Sequence, residues 1–534
     1  MMKRRVLAAL LASLMMLSAG SCSFRDHSQP VFPEQPVKED EADSSDYEKA
    51  DIEEVNGQVE KLLVDLKVPD NEAAVREDME ALFHSVAVAY EADTLSHLGH
   101  CLDWYNEKAE QEYDDCSLTY SLVYEAASYA FHRGYESEEY SSLFTDYISE
   151  DYLDFYNAPS MSLKRLEGYT RVDYELADER SDEYYAIRDD EKLSDDEKNL
   201  KCAEIYLDIL SEYDAETFYD EYYRDYTPEE IIEVGRSVRR NLLIISDDVT
   251  RKYLDNAADG LFLRADVKPD KLFSTIQKYS AQLSPEIAES AERIIETGHY
   301  HTAEGDDCYD GSYTAALPLS DDYLVYIYCD DNEDNLATAI HEFGHYHAGH
   351  FDKTPIYSVV ANNDIAEIQS QGMELLFMQF YDEIYGKKAD AMRLEHLSDL
   401  LFAIESGFLV GEFEYTVLKN RDTYTPEDVV RCYNEIMRDY AQGIPFYYID
   451  HMFVYPGYYI SYGVSALAAL EIFDDVLNDP QSAVEKYSRM ASIPSNDPNV
   501  RLREALTENG FPDIFSDEYI NRLYDDIRRY LNSL

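Results

Sequence analysis

The stretch Asp334-Asn-Leu-Ala-Thr-Ala-Ile-His-Glu-Phe-Gly-His345 carries the reading from which the rest of this chain can be worked out. Leu336, Ile340 and Phe343 recur at intervals of three and four, which predicts a helix starting near Asp334 with one buried face. His341 and His345 stand one turn apart on a neighbouring face, so both imidazoles can reach a single metal ion. Glu342 then projects beside that ion, where it can take a proton from bound water. Immediately upstream, Ser312 to Leu319 and Tyr323 to Cys329 are short, β-branched or aromatic in part, and separated by Ser320-Asp-Asp322. That pattern predicts two strands and a turn forming a small sheet directly before the helix.

A catalytic zinc needs a third protein ligand and an open position for water. Downstream, the run Asp364-Ile-Ala-Glu-Ile-Gln-Ser-Gln-Gly-Met-Glu374 predicts a second helix, after a loop containing Pro355. Glu367 is the leading candidate for the third ligand; Glu374 lies on the same face and competes with it, and a site without a carboxylate ligand is the remaining alternative. The histidines nearest the motif, His347 and His350, are read as non-ligands.

Working outward, Tyr47 to Gly298 is overwhelmingly helical in pattern, as in Ile231, Val234, Val238 and Leu242, with Ile232 and Leu243 widening the apolar stripe. Tyr226-Thr-Pro-Glu-Glu230 reads as a helix start, with Thr227 as N-cap and Pro228 in the first helical position; Thr425-Pro-Glu-Asp428 repeats the device. Beyond the motif the chain returns to helices until Leu534. The division expected is an export segment (1–21), an acidic tether (22–45), a helical N-terminal region (46–300) and a zinc-binding catalytic region (301–534). The tether contains Pro30, Pro33, Pro36 and Glu39-Asp-Glu-Ala-Asp43, a composition that cannot bury a core.

Residues 1–21 have the form of an export signal: Lys3, Arg4 and Arg5, an apolar stretch from Val6 to Leu17, then Ala19, Gly20 and Ser21 before Cys22. That ending resembles a bacterial lipobox, which would make Cys22 the lipidated first residue of a chain anchored at the outer face of the cell. Removing 1–21 takes away three cations and no acid, moving the net charge from −65 to −68. Such a field repels nucleic acid and anionic lipid and favours solubility, so nucleic-acid partners are excluded and a monomer is expected. Six further cysteines show no CxxC or Cys/His spacing, which argues against a cysteine zinc site; Cys308 and Cys329, flanking the expected hairpin, are the disulfide pair to test first.

The run His341-Glu-Phe-Gly-His345, followed by Asp364-Ile-Ala-Glu-Ile-Gln-Ser-Gln371, resembles the zinc oligopeptidase family that includes thimet oligopeptidase and oligoendopeptidase F. The resemblance covers roughly Tyr309 to Ala468. It implies Glu367 as third zinc ligand, with His341 and His345, and Asp364 as a residue supporting the ligand shell. A later segment, His451-Met-Phe-Val-Tyr-Pro-Gly-Tyr-Tyr-Ile-Ser-Tyr462, resembles the family's late histidine and tyrosine strip. By that likeness His451, Tyr458 and Tyr462 are the candidates to stabilise an oxyanion, with Tyr455 and Tyr459 in reserve, and their chemistry suits the task. In a chain with 48 tyrosines, core packing is the competing reading for each. Ala348 departs from the pattern, where members often carry another His.

The fold so implied is mainly α, with a small β-sheet next to the motif helix and a deep channel between two helical halves. The function implied is zinc-dependent endopeptidase cleavage of short peptides outside the cell, with one zinc per chain. Two alternatives stand beside it: a metallocarboxypeptidase similar to carboxypeptidase Taq, and a non-catalytic surface lipoprotein that binds peptide or zinc.

Overall fold

Helix after helix in this chain begins on a side-chain cap. Asp51 accepts from the Glu53 amide, Asn106 from Lys108, Ser284 from Ile287 and Ser516 from Tyr519, each satisfying an otherwise orphaned helix N–H. Ser194 with Glu197, Thr227 with Glu230 and Thr425 with Asp428 form reciprocal capping pairs. A computed structural model describes residues 47–147, 180, 183–190, 192–256, 264–330, 334–358, 362–438 and 445–534. The export segment, the tether and Cys22 lie outside the described residues.

Three helices come first: α1 (Ile52–Asp65), α2 (Glu72–Leu102) and α3 (Glu107–Tyr135). They close a core of their own around Val59, Leu62, Leu82, Val123 and Phe131, to which Tyr357 is added from far along the chain. Next come α4 (Asp195–Leu210), α5 (Pro228–Asn256), α6 (Leu272–Ser280) and α7 (Pro285–Thr297). After the sheet follow α8 (Asn335–Gly349), α9 (Asn363–Phe377), α10 (Ala389–Asn420), α11 (Pro426–Ile436), α12 (Ile460–Ala469), α13 (Pro480–Ala491) and α14 (Asp517–Ser533). The main core spans residue 300, running from Tyr184 to Leu531. Ile231, Val234, Val238 and Leu242, the stripe expected from spacing, all lie buried in it.

Helix α10 is the centre of this body. It buries residues on every side, the pattern of a helix surrounded by others. A Cβ on Gly407 would stand 2.7 Å from the Gly463 Cα, so two glycines are what let α10 and α12 touch backbone to backbone. Among the described residues no helix is long and apolar enough to cross a membrane.

The sheet has three strands in the order β1-β3-β2: β1 (Tyr300–Ala303), β2 (Tyr313–Leu317) and β3 (Asp322–Tyr328). β2 and β3 are the hairpin expected, with Thr314 opposite Val325. β1 is an addition to that expectation; it pairs parallel to β3, Tyr300 opposite Val325, and its four residues are too few to show a period of two. Leu98, Cys101, Tyr309, Leu317, Leu324 and Tyr326 form a third apolar cluster that joins α2 to the sheet. The Cys308–Cys329 bridge does not form. Cys308 Sγ instead donates to the Leu102 and Glu304 carbonyls, at 3.5 and 3.7 Å, Cys329 is buried, and the six described cysteines are free.

Candidate metal centre

Helix α8 sits under the sheet with Leu336, Ile340 and Phe343 buried, which turns His341 and His345 toward α9. The two helices meet at Gly344, where a Cβ would fall 2.6 Å from the Ser370 Cα and 2.9 Å from the Gln369 carbonyl oxygen. Any side chain there would push α9 away, and with it Glu367. Among the described residues, His341, His345 and Glu367 form the one group of three or more His, Cys, Asp or Glu side chains whose ligand atoms all lie within 4.8 Å of one another. Glu367 Oε2 is 3.4 Å from His341 Nε2 and 3.9 Å from His345 Nε2.

The residues present fit a divalent cation. His341 Nε2 is shut away from solvent and, although Glu367 Oε2 stands 3.4 Å away, makes no well-aligned hydrogen bond. Two imidazole nitrogens and one carboxylate oxygen are the donor set of a catalytic zinc site that keeps a position open. The electrostatics point the same way. Burial works against a charged His341, but the Glu367 and Glu374 carboxylates on either side of the ring outweigh it and hold the imidazole well above its ordinary value. Burial likewise raises Glu367 and Glu374, and the histidines beside them overcome it, leaving both carboxylates at about 2. His345, dominated by burial, falls to about 4 and so stays neutral, the form that ligates. Two carboxylates thus favour positive charge at this point, whether on a proton or on a metal ion.

Glu374, the competing candidate for the third ligand, lies outside this group. Its Oε1 meets His341 Nδ1 at 2.7 Å, on the side of the ring opposite Glu367, so it orients the imidazole and is not a member of the ligand group. Glu374 Oε2 lies 3.1 Å from His396 Nε2, and the Tyr381 hydroxyl lies 3.1 Å from His396 Nδ1. His347 and His350 are also outside the group: His347 Nδ1 pairs with the Ser290 hydroxyl, and His350 Nε2 with Asp322.

Glu342 is buried, and its Oε2 accepts a hydrogen bond of 2.8 Å from the Thr314 hydroxyl of β2. Burial is the largest influence on it and carries its pKa up to about 7, with His341 and Thr314 pulling the other way. A carboxyl poised there can both take and return a proton near neutrality. Sequence reasoning missed Thr314, since nothing in a strand threonine announces which face its hydroxyl serves.

Asp364 departs from its expected place beside the ligands. Its carboxylate turns instead toward residues remote in sequence, accepting from the Tyr226 hydroxyl at 2.6 Å and the Ser461 hydroxyl at 2.5 Å. The ligand actually supported from within α9 is Glu367, whose Oε2 accepts from Ser370 at 3.0 Å. His451 is gathered with the tyrosine strip: its ring stacks 5.5 Å from Tyr458, and its Nε2 lies 3.3 Å from the Tyr462 hydroxyl. Tyr459 packs edge-on against both His451 and Tyr462, while Tyr455 is 46% exposed.

No family profile and no curated protein matches the sequence. Solved structures do match. A structure described as an oligoendopeptidase F is 17% identical, with a TM-score of 0.71 over 91% of this chain and 98% of its own. An oligoendopeptidase F from Bacillus anthracis str. Ames gives 14% and 0.69 over 92% and 97%, and PZ peptidase A with an inhibitor gives 15% and 0.68 over 91% and 98%. At such identities the likeness speaks for architecture, and it extends far beyond the motif region that first suggested it: this chain has the fold of the oligoendopeptidase F peptidases.

Proposed function

We propose that the protein is a zinc-dependent endopeptidase that hydrolyses short peptides. The observation that carries this reading is the convergence of His341 Nε2, His345 Nε2 and Glu367 Oε2 on one point, with the buried Glu342 carboxyl next to it on the same helix. A divalent ion held there would supply Lewis acidity and lower the pKa of water. Glu342 Oε1 or Oε2 takes the proton as that water attacks the peptide carbonyl, and Thr314 keeps the carboxyl in its orientation. Charge then develops on the carbonyl oxygen, and the hydroxyls of Tyr458 and Tyr462 with the His451 ring donate to it. His451, lowered by burial to about 4, does so as a neutral imidazole. Glu342 finally passes its proton to the leaving amine.

In this reading short peptides reach the site through a channel between helical halves, as the family resemblance implies. Lipidation of Cys22 would hold the enzyme at the outer face of the cell. Replacement of Glu342 by Gln tests the core of the proposal: the variant should bind zinc and fail to cleave, and undiminished cleavage would overturn the mechanism. A non-catalytic binding protein would show no cleavage in either form. Mass spectrometry of products from one end-blocked and one free peptide separates internal cuts from the C-terminal trimming of a metallocarboxypeptidase.

A further inference from the structure

One turn ahead of Glu367 on α9, the Asp364 carboxylate enters a cluster of charged and polar groups closed off from water. The Arg224 side chain is fully buried and lies 3.4 Å through Nε from Asp364 Oδ2. Its Nη1 donates to the Gly457 carbonyl at 2.7 Å and its Nη2 to the Ser461 hydroxyl at 2.8 Å. Ser461 therefore accepts from Arg224 and must give its single proton to Asp364. The guanidinium lies 4.5 Å from each of the Tyr219 and Tyr222 ring centroids, and the Tyr222 hydroxyl donates to the Pro456 carbonyl at 2.8 Å. From the other side, the Gly457 amide donates to Glu414 Oε1 at 2.8 Å. Pro456, Gly457 and Ser461 are thus bolted down at both ends of the segment holding Tyr458 and Tyr459, just before Tyr462.

We infer that Arg224 and Asp364 are positioning residues: through Ser461 and the Gly457 carbonyl they fix the His451, Tyr458 and Tyr462 strip to the same helix that carries Glu367. Nothing in the cluster touches the ligand group, so its role is transmitted through backbone placement. A guanidinium fork suits this, since it holds a carbonyl and a hydroxyl in fixed directions while its charge lies against a carboxylate. The catalytic part of the inference rests on the peptidase reading; the mechanical part does not.

Both parts are tested on the full-length chain with Arg224→Met, Arg224→Lys and the milder Ser461→Ala. Hydrogen exchange of the metal-free protein reads the mechanical part: amides of 457–462 should exchange about tenfold faster in Arg224→Met and Ser461→Ala, with 335–349 as protected as before. With zinc loaded and an internally quenched peptide as substrate, kcat should fall by about 10- to 100-fold, zinc content and KM should hold, and Arg224→Lys should recover part of the loss. Unchanged protection of 457–462 in Ser461→Ala, which loses one hydroxyl only, overturns the inference. So does wild-type kcat in variants whose strip has loosened. Absence of cleavage by the parent enzyme would defeat the peptidase reading and leave the exchange result standing.

Discussion

Helix α9 carries two buried carboxylates one turn apart, and their surroundings could hardly differ more. Asp364 is saturated: two hydroxyls donate to it and a guanidinium lies against it. Glu367 faces two imidazole nitrogens, of which His341 Nε2 is sealed from solvent and without a well-aligned hydrogen bond. A buried carboxylate that serves the fold is satisfied within the chain, because an unpaired buried group costs stability. Two imidazoles and a carboxylate turned toward one point, with a second carboxylate behind the His341 ring, instead make a donor set that favours a positive ion. The contrast is between a carboxylate whose partners all come from the chain and one whose neighbours form a metal donor set.

The sharpest break of that contrast lies on the open side. Glu342→Gln should lower kcat for peptide cleavage by about 10²- to 10⁴-fold, the usual worth of a general base, while bound zinc measured by elemental analysis stays the same. On the closed side, Arg224→Met leaves the Asp364 charge buried without its partner, and denaturant unfolding should show a loss of about 3–5 kcal/mol. If the same change cost nothing, the cluster would not be the scaffold its saturation implies.

Glu374→Ala sharpens the picture between the two extremes. The ring of His341 would lose the carboxylate that sets its tautomer, so zinc affinity in a chelator competition should fall by about 10- to 100-fold without abolishing binding. Had Glu374 been a direct ligand, the loss would be far larger.

The smallest effect is expected at a third cluster, near the far end of α8. Asp322 is buried, which alone would raise its pKa, but hydrogen bonds from His350, His299 and Tyr346 and the Tyr323 amide hold it below the ordinary carboxylate range. A depressed folded pKa means that its contribution is complete above the unfolded value, about 4, and is lost as pH falls through the folded one. Thermal unfolding followed against pH should therefore show a melting temperature declining below about pH 4, with a shallower decline in Asp322→Asn.

Much of the open site is legible in the sequence. His341, Glu342 and His345 are related by helix geometry alone, and the resemblance to the oligopeptidase pattern selects Glu367 over Glu374. The closed site is not legible there, although Asp364 stands in the same quoted run. Its partners Tyr226 and Ser461 lie 138 and 97 residues away, and no periodicity reports a contact at that range. Thr314 is hidden for the same reason: its strand follows from the local pattern, its bond to Glu342 28 residues on does not.

By itself the sequence determined what depends on neighbours along the chain: the capped helices, the apolar stripes, the β2–β3 hairpin, and two imidazoles one turn apart. Only the tertiary structure decided that Glu374 stood behind the His341 ring, where Asp364 pointed, and that β1 joined β3 in parallel. The physical reason is that local geometry follows from 3.6- and 2-residue periods, whereas the direction of a buried carboxylate is set by whichever distant donors the packing brings within hydrogen-bond reach.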